Sequence, residues 1–160
     1  MTDALKYQMG SILYTVGDVL ASSEKVIVHG CNCFCVMGAG IAAQIRKQFP
    51  AAWKADQDTI PGDNYKLGRY TFAVEHDKVI FNAYTQYGTN LPVNVDYSAV
   101  HNALFSICLD LKTIGYNGPV AMPRIGCGLA GGKWNVVAEI LEDIHSSLGT
   151  HFHVYDFTPT

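Results

Sequence analysis

Hydrophobic positions along the chain switch repeatedly between a strand-like run and a helical period. Residues 7–9 and 12–16 read as short strands divided by Gly10-Ser11, and Gly17-Asp18 ends the second. Lys25-Val26-Ile27-Val28-His29 is β-branched and too short for a helix, and its unbroken apolar centre predicts a central strand covered on both faces. After Gly38-Ala39-Gly40, apolar Ile41, Ala42, Ile45 and Phe49 recur at helical spacing until Pro50 stops the pattern, and a second short helix is expected from Ala51 towards Asp58. Residues 69–75 and 78–84 are rich in aromatic and β-branched side chains and flank His76-Asp77, which predicts a tight hairpin.

A polar loop over 86–94 leads into an amphipathic helix over 97–114, with Val100, Ala103, Leu104, Ile107, Cys108 and Leu111 on one side and Gly115 as its stop. A strand over 119–124, a glycine-rich turn over 126–132, a helix over 134–148 ended by Gly149 and a strand over 151–156 complete the chain. Val137, Ile140, Leu141, Ile144 and Leu148 form the inner face of that last helix. Buried strands need helices on both faces, so this order predicts one three-layer α/β/α domain over residues 1–160 with a mixed central sheet.

Composition narrows the function. The 160 residues carry 11 Lys+Arg against 14 Asp+Glu, a formal net charge of −3, which is not the basic footprint of a general nucleic-acid binder. No apolar run reaches membrane-spanning length, and Met1-Thr2-Asp3-Ala4-Leu5-Lys6 has neither the basic start nor the apolar core of an export signal, so a cytoplasmic protein is expected. The five cysteines, at 31, 33, 35, 108 and 127, are an odd number and are expected to be reduced. Cys31-x-Cys33-x-Cys35 lacks the second spaced pair of a structural zinc site, so no metal or cofactor is expected. Without a coiled-coil seam, a monomer is the default.

Candidate chemistry concentrates where a buried strand runs through glycines into a helix, because free backbone N–H groups and a helix N-terminus together attract anions. This happens twice: at Val28-His29-Gly30-Cys31-Asn32 with Met37-Gly38-Ala39-Gly40-Ile41-Ala42, and at Met122-Pro123-Arg124-Ile125-Gly126-Cys127-Gly128-Leu129-Ala130-Gly131. Each glycine set taken alone also fits an ordinary tight turn. The second loop matches Gly-x-Gly-x-x-Gly, with Asp156 at the end of the next strand, but only four residues follow Asp156 and the rest of a dinucleotide-binding half has no chain to come from.

Together with Gly17-Asp18-Val19 and Val154-Tyr155-Asp156, these segments have the order and spacing of a macro domain, and the chain most resembles the small stand-alone type that processes ADP-ribose 1''-phosphate. The resemblance implies ADP-ribose or its 1''-phosphate as the small-molecule partner. It places Asp18 at the adenine amino group, Val19 where a backbone N–H meets the ring, Tyr155 beside the adenine and Asn32 on the distal ribose. The loops Gly38, Ala39, Gly40, Ile41 and Gly126, Cys127, Gly128, Leu129, Ala130 would then wrap the pyrophosphate and distal ribose. Read without the resemblance, Asp18 equally suits a helix N-cap and Tyr155 suits sheet packing.

A deglycosylating relative of the Gly-Cys-Gly-Leu type carries aspartate after that leucine and a lysine after the middle hairpin; here Ala130 and Ala83-Tyr84-Thr85-Gln86-Tyr87 stand in those places. The expected activity is therefore phosphate removal from ADP-ribose 1''-phosphate, with an ADP-ribosyl hydrolase acting on a modified macromolecule or a non-catalytic ADP-ribose reader as alternatives. Catalytic candidates are Asn32 and His29. The histidine stands where many macro domains have asparagine and is placed as a general base, as a donor to a phosphate, or as a half-buried ring bonded to a carbonyl. Asn82, Asn94 and Asp96 are further contributors to consider, the last equally an N-cap. Cys127 invites comparison with activated thiolates, but its loop lacks a Cys-x5-Arg cradle, and His145 lies about three turns into the last helix.

Overall fold

A computed structural model describes residues 5–157; the start of the N-terminal stretch read for an export signal lies outside the described residues. Among the described residues, seven strands form one sheet in the order β1-β2-β7-β6-β3-β5-β4. The strands are β1 (Lys6–Met9), β2 (Ile12–Val16), β3 (Val26–Cys31), β4 (Tyr70–Glu75), β5 (Lys78–Tyr84), β6 (Val120–Met122) and β7 (Phe152–Asp156). The inner five run parallel, while β1 and β4 pair antiparallel at the two edges, so the sheet is mixed as expected.

Four α-helices cover it: α1 (Gly40–Gln48), α2 (Pro50–Gln57), α3 (Tyr97–Thr113) and α4 (Trp134–Leu148). Alternate residues of β3 show the layering. Val26 and Val28 pack with the inner faces of α3 and α4, whereas Ile27 packs with Ile45 of α1 and Ala52 of α2. This is the three-layer arrangement that the two-sided apolar run of β3 requires.

Local chemistry fixes the ends. His76 and Asp77 both adopt left-handed backbone (φ 54° and 60°), the geometry of a hairpin turn whose twist matches its strands. Asp96 caps α3 by accepting from the Ala99 N–H at 3.0 Å, and Gly149 at φ 75° closes α4. Pro50 ends the first helical pattern and begins the next, occupying the first turn of α2, where a missing N–H costs nothing.

Two expectations need correction. The strand over 119–124 is only Val120–Met122, because it is flanked on both sides by partner strands and Pro123 has no N–H for a ladder. β3 continues past His29 to Cys31, because Gly30 and Cys31 keep pairing with Ala83 and Tyr84. The five cysteines are free, and no helix among the described residues is long and apolar enough to cross a membrane.

Candidate functional site

Because β2, β7, β6, β3 and β5 are parallel, the loops after them gather along one edge of the sheet. β3 and β6 are neighbours, yet β3 feeds α1 on one face and β6 feeds α4 on the other. Chains leaving adjacent strand ends for opposite faces open a crevice, the place where open α/β sheets bind ligands. Both glycine loops flank it.

Each loop presents unclaimed donors. Ala39 precedes α1 and Lys133 precedes α4, and neither helix start has a side-chain cap among the described residues. The N–H groups of Gly38, Ala39, Gly40 and Ile41, and of Gly126, Gly128, Leu129 and Ala130, have no backbone acceptor among the described residues. The loop segments are also free of formal charge: residues 30–45, 85–95 and 125–132 contain no Asp, Glu, Lys or Arg. An anion bound here is held by amides and helix dipoles rather than by side-chain cations.

The second loop is held in shape by its neighbour after β5. Asn94 and Val95 both donate to the Ala130 carbonyl (2.8 and 3.2 Å), turning Ala130 inward. Gly126 and Gly131 have φ of 77° and 76°; a Cβ on Gly126 would stand 2.7 Å from Val95 Cγ2, and one on Gly131 would strike the Pro92 backbone carbonyl. Glycine is required at both positions on two counts, conformation and space.

The residues assigned from sequence divide into two groups. Gly38, Ala39, Gly40, Gly128 and Leu129 are exposed on the two loops, with Ile41, Gly126 and Cys127 partly buried beside them. Asn32, at the end of β3, is buried: its Nδ2 donates to the Val36 carbonyl and its Oδ1 accepts from the Phe34 N–H, both at 2.9 Å, so it folds the first loop. Asp18 accepts from the Leu20 N–H at 3.0 Å, capping the 3₁₀ turn Val19–Ala21, while the Val19 side chain enters the core. Tyr155 is half-buried beside Gly17, and its hydroxyl donates to Glu24 Oε1 at 2.9 Å. Burial, with the Glu24 carboxylate beside it, pushes the Tyr155 phenol up to about 12.

Of the readings open for His29, its surroundings match the buried ring bonded to a carbonyl oxygen and not the general base. Its side chain is fully buried on the α1/α2 face, with Nε2 2.6 Å from Asn82 Oδ1 and the Cys31 thiol 3.5 Å away. Burial depresses its pKa to about 4, against a smaller opposing effect of the Asn82 hydrogen bond, so the ring is neutral. Asn82 leaves the site with it, because its Nδ2 donates to the Ala52 carbonyl and to Thr71 Oγ1. The Cys127 thiol points to the Ile125 carbonyl at 3.4 Å, and burial pushes it up despite nearby Arg124, so it remains a thiol. Asn94 is occupied with Leu91, and His145 bonds the Thr150 carbonyl beyond the far end of α4.

Two features had no signal in the pattern. Arg124 pairs with Asp156 through two contacts of 2.6 and 3.0 Å and lies over the rings of Tyr14 and Trp134, so the carboxylate of the literal dinucleotide fingerprint is engaged within the protein. Thr85, read only for the missing lysine beside it, is buried against Gly30 of β3. Its proximity to Gly30 comes from pairing of β3 with β5, whose partners such as Gly30 and Ala83 lie far apart in sequence, which single-strand periodicity does not report.

Comparison with known proteins places this geometry. A bacteriophage T4 protein of 17.5 kDa, uncharacterised, from the tk-vs intergenic region is 38% identical over 148 residues, covering 86% of this chain and 92% of its own. An ADP-ribose 1''-phosphate phosphatase of Candida albicans is 29% identical (90% of this chain, 98% of that one), and an ADP-ribose glycohydrolase of Bos taurus is 28% identical (90% of each). A solved structure of a Bacteroides thetaiotaomicron protein of unknown function superposes with a TM-score of 0.75 at 32% identity, covering 91% of this chain and 97% of that one. The family model for the macro domain matches residues 28–141, which span both glycine loops, and the chain belongs to the macro domain family.

Proposed function

We propose that the protein binds ADP-ribose in the crevice between β3 and β6 and removes phosphate from ADP-ribose 1''-phosphate. The observation that carries this reading is the pair of charge-free glycine loops, which flank one crevice and whose N–H groups have no backbone acceptor among the described residues. A diphosphate matches that donor array, and Gly17-Asp18 beside the Tyr155 ring offers a flat, half-buried shelf for an adenine. The free oxygen of the Asp18 carboxylate accepts from the adenine amino group.

In the reaction a water oxygen bonds to phosphorus, the bond from phosphorus to the 1'' oxygen breaks, and the water proton ends on that oxygen as ADP-ribose and phosphate separate. Negative charge grows on the phosphoryl oxygens during attack, and amides already aimed at that volume stabilise it without reorganisation. Asn32 acts by holding the first loop open and by offering its remaining hydrogen-bonding capacity to the distal ribose.

The Candida albicans relative supports the phosphatase. The Bos taurus relative, with the same coverage of this chain, supports a second reading in which ADP-ribose is released from a modified macromolecule. Ala130 and the lysine-free stretch 83–87 favour the first. Titration calorimetry with ADP-ribose, followed by a free-phosphate assay on ADP-ribose 1''-phosphate, tests it. Heat with phosphate release supports the phosphatase; heat without it, together with release of ADP-ribose from a modified protein, selects the second reading. Absence of heat refutes both.

A further inference from the structure

The two edges of the sheet are finished differently. β1 is four residues long and carries Lys6, a charge that discourages pairing with another chain. β4 runs for six residues, Tyr70-Thr71-Phe72-Ala73-Val74-Glu75, without Pro, Gly or Lys, and no strand among the described residues pairs with its far side. Phe72 and Val74 on it are 53% and 67% exposed. Phe72 is the partner of Phe81, which packs with α3, so these side chains stand on the α3 face where that helix stops short of the edge.

Backbone groups alternate along the strand as well. The Tyr84 N–H donates to the Arg69 carbonyl, so in the antiparallel ladder residues 69, 71, 73 and 75 turn their backbone groups towards β5. Tyr70, Phe72 and Val74 turn theirs to the open edge. An unprotected edge of this kind is a template for a further strand.

We propose that β4 pairs antiparallel with β4 of a second copy of this chain, about a twofold axis at Phe72. In this register the strand is complementary to itself. Tyr70 falls opposite Val74 of the other copy and Phe72 opposite itself, so the outward groups meet in three hydrogen-bonded pairs. Arg69 falls opposite Glu75 twice, in the pairs whose side chains approach most closely. Among the described residues Arg69 has no carboxylate partner, its guanidinium lying over the Tyr65 ring, and Glu75 has no Lys or Arg partner. A shift of one residue sets outward groups against inward ones, and a shift of two loses a hydrogen-bonded pair and separates Arg69 from Glu75.

The opposite face of the sheet leaves room. α2 spans β4 and β5, because the Ala51 N–H donates to Glu75 and the Ala52 carbonyl accepts from Asn82. With strands ~4.8 Å apart, two such helices related by the axis stand about 10 Å from each other, a helix-packing distance. Trp53 lies against Arg46 of α1, so the side of α2 turned towards the axis carries the small Ala51 and Ala55. A dimer through an edge strand needs no coiled-coil seam, so the monomer expected from the sequence gives way to a pair.

Sedimentation equilibrium of the full chain across a wide range of concentrations tests this, and no readout involves ADP-ribose, so its outcome is separate from that of the crevice. The mass is expected to rise reversibly towards twice 17.5 kDa. Phe72→Lys sets like charges face to face at the axis and is expected to weaken association at least 100-fold with the far-UV spectrum retained. Cysteine pairing reads the register and keeps the test alive if the lysine variant misfolds. Phe72→Cys places a thiol opposite itself with Cα atoms about 5.5 Å apart, within disulfide reach, and is expected to form a reducible dimer on mild oxidation beyond that of the parent. Val74→Cys, whose two copies lie about 14 Å apart along the strands, is expected not to. A parent of single-chain mass throughout, or a folded Phe72→Lys that associates as the parent does, overturns the proposal. Cross-linking at 74 as readily as at 72, or at neither, overturns it as well.

Discussion

Two polar regions meet at β3, one under its α1/α2 face and one beyond its C-terminal end, and they are built on opposite rules. Under the α1/α2 face, His29, Asn82, Thr71, Tyr84 and Asp56 form a continuous chain: Asn82 joins His29 to Thr71, the Thr71 and Tyr84 hydroxyls meet at 3.0 Å, and Tyr84 donates to Asp56 Oδ1 at 2.8 Å. Every link there has a protein partner. In the crevice, by contrast, the amides of both glycine loops have no backbone acceptor among the described residues. A satisfied buried network rigidifies a fold, while an unsatisfied array of donors is a site waiting for an anion. Polar residue type alone does not mark the crevice, whose free donors are backbone N–H groups.

The largest expected effect breaks the crevice. Gly126→Val forces a β-branched residue into φ 77° and drives its Cβ against Val95, which also braces the loop. ADP-ribose affinity should fall at least 100-fold by calorimetry, about 3 kcal/mol, with the far-UV spectrum of a folded α/β protein retained. Affinity within tenfold of the parent would show that the second loop is not the anion site.

The buried chain should answer to pH instead. His29 has a folded pKa of about 4 against an unfolded value near 6.5, so the unfolded chain binds the extra proton first. The stabilisation from keeping this ring neutral is fully present above pH 6.5 and is lost as pH falls towards 4, a swing of up to about 3 kcal/mol. In His29→Asn that component is absent, so the gap between parent and variant in urea-unfolding free energy should change across pH 4 to 6.5, with turnover at neutral pH retained. Parallel stability curves, or a variant that folds but has lost turnover, would put His29 back among the catalytic groups.

An intermediate effect is expected at Asn32, where the two regions come closest. Asn32→Ala removes both bonds that fold residues 32–36. Turnover should fall about tenfold, equivalent to about 1.4 kcal/mol, with ADP-ribose affinity largely kept, because most phosphate donors lie on the glycine backbone. Unchanged turnover would remove Asn32 from the mechanism.

These contrasts also show which parts of the molecule are legible in sequence. Hydrophobic period reports what a residue's own element needs, so the helices and the two-sided run of β3 can be read directly, down to the hairpin at His76-Asp77. Loop glycines are legible as well, because few other residues tolerate their backbone. Pairing between distant strands is not. The direction of His29 follows from its register opposite Asn82, and the place of Thr85 from the register of Gly30 with Ala83, neither of which any local pattern encodes. β6 is misjudged for the same reason, since its length is set by its neighbours and by Pro123.

The smallest expected effect separates the regions most cleanly. Tyr84→Phe keeps the ring that packs with Cys31, Cys33 and Met37 and deletes one hydroxyl, leaving Asp56 and Thr71 each short of a partner. Asp56 is 1% exposed and burial already raises its pKa, so its carboxyl has no water to turn to. A loss of about 1 kcal/mol, the usual net worth of one such hydrogen bond, is expected, read as a lower midpoint in urea. The hydroxyl bonds Asp56 and Thr71 and neither glycine loop, so ADP-ribose affinity and phosphate release should both stay within twofold of the parent. A Tyr84→Phe protein with parental stability would mean that the chain is not a stabilising network. One with parental stability and impaired turnover would mean that the two regions at β3 are coupled, and that the division between a satisfied interior and an unsatisfied crevice does not hold.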